Sequence, residues 1–180
     1  AMAALSAAEV ESYRRNGFLV PQYRLPPAQL ARLRAALDEV IAANPGVRPE
    51  QLVSAHINGR NSEGVRGHNA FLDFARDPDI LDIVSQVIGE DIVLWGCHIF
   101  CKPSGDGMEV PWHQDGHYWP IRPLATCTLW LALDDSLVEN GCLRVIPGSQ
   151  RGEVLHAHLR EDREDVAINQ AIARGVMDEA

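Results

Sequence analysis

The spacing of apolar residues in this chain changes once, near residue 90, and that change limits the folds open to it. Before it, apolar positions recur at helical intervals; after it, they alternate. Pro27 opens a helix in which Leu30, Leu33, Leu37, Val40 and Ile41 form one stripe, and Asn44, Pro45 and Gly46 end it. Asp77 as N-cap, Pro78 at the first helical position and Gly89 at the far end bracket another, with Ile80, Leu81, Val84, Val87 and Ile88 as its apolar face. Ser6 with Glu9 reads as a capping box, and Gly17 as a helix stop. Residues 18–20 predict a short strand, 91–102 a long one and 125–133 another, with Glu139-Asn140-Gly141 as a turn between two more. Helices first and strands after fit a helical layer buttressing one sheet of a jelly roll.

The expected organisation is a single domain over residues 1–180. Residues 1–90 form a mostly helical buttress with a polar loop, 91–150 the core jelly-roll strands, and 151–180 a polar tail. A chain of 180 residues can bury a substantial core. Its formal charge of −9 argues against nucleic acid as a partner, which would need clustered Lys and Arg. The run 160–165 alternates in sign and reads as a solvated face. No apolar stretch is long enough to span a bilayer, and the first residues lack a basic-then-apolar signal pattern, so no membrane partner is expected. The 4 cysteines lack metal or disulfide spacing; buried free thiols in a reducing cytoplasm are the expectation.

Chemistry concentrates in Trp112-His113-Gln114-Asp115-Gly116-His117-Tyr118-Trp119-Pro120. On an extended strand, positions i and i+2 face the same side, so His113 and Asp115 can grip one ion together. One imidazole and one carboxylate are two thirds of the facial triad that holds non-haem iron(II) with positions left open. A His-x-Asp alone is weak evidence, but Pro111 and Gly116 flank it as at a strand edge or bend where backbone approaches a ligand.

The segments WHQDGHYWPIRP, TLWLALDD and ENGCLRVIPGSQ together resemble the phytanoyl-CoA dioxygenase family of iron(II)- and 2-oxoglutarate-dependent oxygenases. The resemblance runs from about residue 17 to 170 and is most specific over 102–149. It implies a double-stranded β-helix, also called a jelly roll or cupin-like fold, with His113 and Asp115 as iron ligands. It also implies that Gln114 and Trp130 lie near the cosubstrate, with Lys102 in the preceding strand. Iron(II) and 2-oxoglutarate follow as cofactors, with ascorbate as a candidate reductant. The implied activity is hydroxylation of a small organic substrate with release of succinate and CO2. Family members carry a second ligand histidine and a 2-oxoglutarate-binding arginine near the end of the jelly roll. Neither is recognised in residues 169–180, so the last strands and both residues are expected to lie outside these 180 positions. His156 and His158 follow the Pro-Gly-Ser turn at places where relatives carry histidines that are not ligands.

Alternation extends the candidate set. His98, Phe100 and Lys102 share one face, and so do Thr128 and Trp130. Polar groups facing a cavity are uncommon without a ligand, though hydrogen-bonded structural roles compete with that reading. His117 and Trp119 continue the parity of His113 and Asp115 as candidate substrate-pocket wall; for Trp119, core packing is an equal alternative. The glycine-rich loop 54–68 offers His56, Arg60, Arg66 and His68 to an anionic ligand, either as a mobile lid or as plain solvated surface. Two other classes remain open. One is a catalytically incomplete jelly-roll protein or fragment, with an exposed sheet edge that favours self-association. The other is a cupin-like metal hydrolase or isomerase, with zinc as a candidate ion and His117 or His156 as third ligand.

Overall fold

Capping chemistry sets the helix boundaries of the computed structural model, which describes residues 4–176. Helix α1 (Ala7–Asn16) begins with the capping box: Ser6 Oγ accepts from Glu9 N–H, and the Glu9 carboxylate accepts from Ser6 N–H. It ends at Gly17, whose φ of 81° is left-handed. The helix's last carbonyls are closed from far along the chain. Gln150 Nε2 donates to Arg14 O at 2.9 Å and Gly148 N–H to Asn16 O at 2.8 Å. The Pro147–Gln150 turn therefore caps α1 in space, supplying donors that the helix itself lacks.

Helix α2 (Pro27–Ala43) buries Leu33, Ala36, Leu37 and Val40. Helix α3 (Asn69–Ala75) is capped by His68, whose Nδ1 accepts from Ala70 N–H. In α4 (Pro78–Ile88), Asp77 caps as expected, but the buried pair is Ile80 and Ile83, while Leu81 lies 38% exposed. Helix α4 packs against α1 and α3. Leu33, Leu37, Val40, Leu52, Ala55, Val65 and Phe71 form the centre of the core. No helix among the described residues is long and apolar enough to cross a membrane.

The loop over 54–68 is ordered by pairing and hydrogen bonds of its own. Strands β1 (Gly59–Arg60) and β2 (Arg66–Gly67) pair antiparallel within it. Two asparagines satisfy its backbone. Asn61 Nδ2 donates to Val53 O at 2.9 Å while Asn61 Oδ1 accepts from Val65 N–H at 3.0 Å. Asn44 exchanges two hydrogen bonds with the backbone of Arg66. Ala55 and Val65 thereby enter the core, and a Cβ on Gly67 would stand 2.3 Å from Ala55 O. Buried backbone must find partners, and here side-chain amides supply them.

The extended half differs most from expectation. None of the expected strands, at 18–20, 91–102, 125–133 and on either side of the 139–141 turn, enters a strand ladder. Segment 97–101 instead takes its hydrogen bonds from the 3₁₀ turn Pro49–Gln51 and the residues after it. Ile99 N–H donates to Leu52 O at 3.0 Å, and Ala55 N–H to Cys97 O at 2.9 Å. A strand cannot satisfy its own backbone, so without a neighbouring strand it pairs with whatever edge is near. The alternation survives all the same. Cys97, Ile99, Leu131 and Leu133 pack on the helical core. His98, Phe100, Lys102, Thr128 and Trp130 occupy the alternate positions. The turn at 139–141 forms as a 3₁₀ turn (Val138–Asn140) ended by Gly141 at φ 81°. The 4 cysteines are free.

The tail is also more structured than expected. Strands β3 (His158–Arg160) and β4 (Gln170–Ile172) pair antiparallel, with Leu159 opposite Ala171. They grip the segment before the motif: Ile172 N–H donates to Trp112 O, Glu109 N–H to Asp165 O, and Ala167 N–H to Glu109 O. Arg174 follows β4 in a turn, and residues 177–180 lie outside the described part of the tail.

Candidate metal centre

His113 and Asp115 do not sit on a strand. His113 lies in irregular backbone, and Asp115 opens the short helix α5 (Asp115–Tyr118). They nevertheless converge, because Gln114 between them is extended at φ −120° and ψ 124°. One extended residue suffices to put its neighbours' side chains on the same side. His113 Nε2 stands 3.3 Å from Asp115 Oδ1.

The partners on the outer side of the pair define its chemistry. His113 Nδ1 lies 2.9 Å from the carbonyl of Pro111, which can only accept, so Nδ1 carries the hydrogen. In the neutral ring the Nε2 lone pair then faces a carboxylate. Two electron donors at that separation need a cation between them, either a proton or a metal ion. The titration follows from this. Burial pulls the His113 imidazole down, but the hydrogen bond to Asp115, the Pro111 carbonyl and the Asp115 charge outweigh it, and its pKa lies above the ordinary value. The hydrogen bond from His113 holds the Asp115 carboxyl below its ordinary value against the opposing effect of burial. Thr128 Oγ1 donates to Asp115 Oδ2 at 3.2 Å and fixes the carboxylate's rotation.

A divalent metal fits the same place. With metal–donor bonds of about 2.1 Å, two cis ligands stand about 3.0 Å apart, close to the observed 3.3 Å. A histidine that gives its other N–H to a backbone carbonyl has the usual arrangement of a metal-ligating imidazole. The donor set is two thirds of a facial triad, since no three His, Cys, Asp or Glu side chains converge among the described residues. His117 is occupied elsewhere: its Nε2 bonds Gln170 Oε1 at 2.9 Å.

The other candidates divide by position. His98 Nδ1 accepts from Ser54 N–H at 3.2 Å. Burial and the neighbouring His56 depress its pKa, while Asp115 and Glu63 pull the other way, so His98 lies within electrostatic reach of the pair. His56 is held low by burial, and its Nδ1 is buried without a hydrogen-bond partner. His98 and Phe100 border an open cleft of about 380 Å³ that Val53, Ala167 and Ile168 also line. Trp130 follows Thr128 at the next alternate position, 45% exposed.

The remaining expectations fit less well. Gln114 spends its side-chain amide on backbone, donating to Val154 O at 2.9 Å and accepting from His156 N–H at 2.8 Å. Its extended conformation also directs it away from the pair. The helical turn of α5 breaks the parity expected for His117 and Trp119. His117 stacks on His158 with ring centroids 3.9 Å apart, and Trp119 leans on Trp95 at 6.3 Å. Lys102 points its ammonium at the Gly141 turn, 2.9 Å from where a Cβ would stand. Arg60 lies exposed on β1, and His68 is committed to capping α3. The Pro111 carbonyl and the tail contacts of Gln114 were not anticipated. A backbone acceptor leaves no mark in a sequence, and the role of His158 depends on a fold-back that local pattern does not encode.

Known proteins resemble this chain over most of its length. The family model described as Phytanoyl-CoA dioxygenase (PhyH) matches residues 13–175. A probable phytanoyl-CoA dioxygenase of Caenorhabditis elegans is 29% identical over 170 residues, covering 84% of this chain and 54% of the relative. The peroxisomal phytanoyl-CoA dioxygenase of Homo sapiens is 31% identical over 160 residues, covering 79% and 46%. An L-proline trans-4-hydroxylase of Streptomyces griseoviridis is 26% identical over 163 residues, covering 84% and 58%. The chain thus spans about half the length of the curated relatives it matches. No solved structure matches it. With the family model covering all but the ends, and its motif residues converging as a donor pair, this chain belongs to the phytanoyl-CoA dioxygenase family.

Proposed function

We propose that this chain carries the iron-binding part of a 2-oxoglutarate-dependent oxygenase of jelly-roll type that hydroxylates a small organic substrate. The observation that carries the reading is the lone pair of His113 Nε2 facing the Asp115 carboxylate at 3.3 Å, with both groups braced from behind by Pro111 and Thr128. In this reading His113 and Asp115 hold iron(II), and a third donor and the cation for the far carboxylate of 2-oxoglutarate come from beyond this pair. Iron(II) held there would let dioxygen oxidise 2-oxoglutarate and substrate together, one oxygen atom going to succinate with loss of CO2 and the other to the hydroxylated product.

The chain's own residues bind, orient and exclude. Pro111 O holds His113 in the tautomer that exposes Nε2. Thr128 presents one carboxylate oxygen of Asp115 forward by engaging the other. In this reading Trp130 and His98 also line the site, and His98 and Phe100 border an open cleft. A carboxylate at position 115 favours hydroxylation over halogenation, because halogenating relatives have a small residue where the halide binds.

The test is an anaerobic titration with iron(II) and 2-oxoglutarate, following the weak visible charge-transfer band of the chelate. The band is expected in the wild-type chain and absent in Asp115→Ala. A wild-type chain without the band, or one that Asp115→Ala leaves unchanged, overturns the reading.

A further inference from the structure

We propose that Gln114 and His158 are positioning residues that hold His113 and Asp115 at ligand spacing by fastening the peptide between them to the tail strands. The inference rests on the proposed metal site and adds to it the device that keeps its two donors aligned. Three hydrogen bonds converge on Gln114, all from residues 154–158. Its backbone N–H donates to His158 Nε2 at 3.0 Å, its side-chain NH2 to Val154 O, and its side-chain oxygen accepts from His156 N–H. His158 Nδ1 lies 2.9 Å from the carbonyl of His156, an acceptor, so that nitrogen carries the hydrogen and Nε2 is left as the acceptor Gln114 needs.

The arrangement is reinforced on the Asp115 side. The His158 ring stacks on His117, and His117 Nε2 engages Gln170 on β4. Tyr118 Oη donates to Gln170 O, and the Tyr118 ring meets His113 edge-on with centroids 5.8 Å apart. The convergence of His113 and Asp115 depends on one extended residue in otherwise irregular backbone. A residue outside any ladder keeps its dihedrals only if other contacts hold it, and here residues 154–158 hold it.

The experiment uses Mn(II) as probe, with free ion counted by electron paramagnetic resonance, and amide hydrogen exchange at Gln114 as a metal-free readout. His158→Phe keeps a ring to stack on His117 but removes the acceptor; His158→Gln restores an acceptor. Outer-shell partners of metal ligands are worth roughly 10- to 100-fold in affinity. Mn(II) binding should weaken by about that factor in His158→Phe, recover in His158→Gln to within about threefold, and weaken again in Gln114→Leu. Gln114 amide protection should fall in His158→Phe and return in His158→Gln. Wild-type affinity and unchanged protection in His158→Phe overturn the positioning role alone. Equal loss in His158→Phe and His158→Gln also overturns it, since that result reports packing rather than an acceptor. A wild-type chain that binds Mn(II) no better than Asp115→Ala overturns the metal reading, and the positioning role with it.

Discussion

The helical half and the extended half of this molecule obey the same hydrophobic logic with different completeness. In residues 4–90 the helices make their backbone hydrogen bonds within one segment, the last carbonyls of α1 apart, and the fully buried Leu33, Leu52, Val40 and Val65 lie there. In the extended half Cys97, Ile99, Leu131 and Leu133 reach the same core, but other large apolar residues stay open, including Val93 and Trp95 of the same parity as Cys97. Val93 is 88% exposed, Trp95 54% and Leu143 59%. A helix carries its hydrogen bonds within one segment, whereas a strand borrows half of its own from another. Pattern alone therefore completes the first kind of element and only half completes the second.

The largest effect is expected at the donor pair, within the extended half. Replacing Asp115 with Ala should remove iron-dependent turnover and divalent-metal binding while leaving the unfolding temperature close to wild type, because the carboxylate serves the site more than the core. Metal titration beside thermal unfolding checks both. A joint loss of fold and binding would mean that the site is part of the packing.

The comparison itself breaks if burial does not rank the halves. Leu33→Ala, at 1% exposure, should destabilise by about 2–5 kcal/mol. Val93→Ser, at 88% exposure, should stay within about 0.5 kcal/mol of wild type. Denaturant unfolding of the two variants measures the contrast, and equal costs would show that the extended half is covered in solution. Gly67→Ala tests the ordered loop between them. Its new methyl meets Ala55 O and Ile57 O, both backbone, so a loss of about 1–3 kcal/mol is expected in the same assay.

Acidity sharpens the comparison further. His113 has its folded pKa raised, so its contribution to stability is full below the unfolded value and is lost as pH rises through the folded one. Asp115 has its folded pKa lowered, so its contribution is present above the unfolded value and is lost as pH falls through the folded one. The metal-free pair thus stabilises most between the ordinary carboxylate and imidazole values, roughly pH 4 to 6.5. Metal binding follows a different course, since the ion competes with the proton on His113. Mn(II) uptake should rise with pH through a midpoint above the ordinary imidazole value, and Asp115→Asn should shift that midpoint down. A midpoint unmoved by Asp115→Asn would deny the pairing.

The smallest effect is expected at Trp130. Because the ring is half exposed, Trp130→Ala should cost less stability than the roughly 3–5 kcal/mol of a fully buried aromatic. Its signature would be a modestly weaker 2-oxoglutarate affinity in the folded protein, read in the same charge-transfer titration. An unchanged affinity would remove Trp130 from the site.

Helix boundaries were legible because their causes are local: Ser6 with Glu9, Pro27, and Asp77 with Pro78 act within one turn. The donor pair was legible because His113 and Asp115 need only one extended residue between them; parity put Thr128 on one face with Trp130, and the family resemblance pointed that face inward. Helix α3 was not foreseen, since its N-cap is a histidine and its seven residues are too short for a periodic stripe. Gln114 was read toward the cosubstrate and instead faces the tail, because the partners of its amide lie 40 residues away.

Sequence by itself determined helices α1, α2 and α4, the alternation beyond residue 90, and which two donors stand side by side. These depend on dihedral preferences and on spacings of a few residues. Tertiary structure decided what braces those donors. It brought Pro111 O against His113, folded 154–172 back onto the motif, and set Gln150 over the end of α1. Each of these contacts spends a hydrogen-bonding group on a partner chosen by proximity in space, and proximity in space is a property of the whole packed chain.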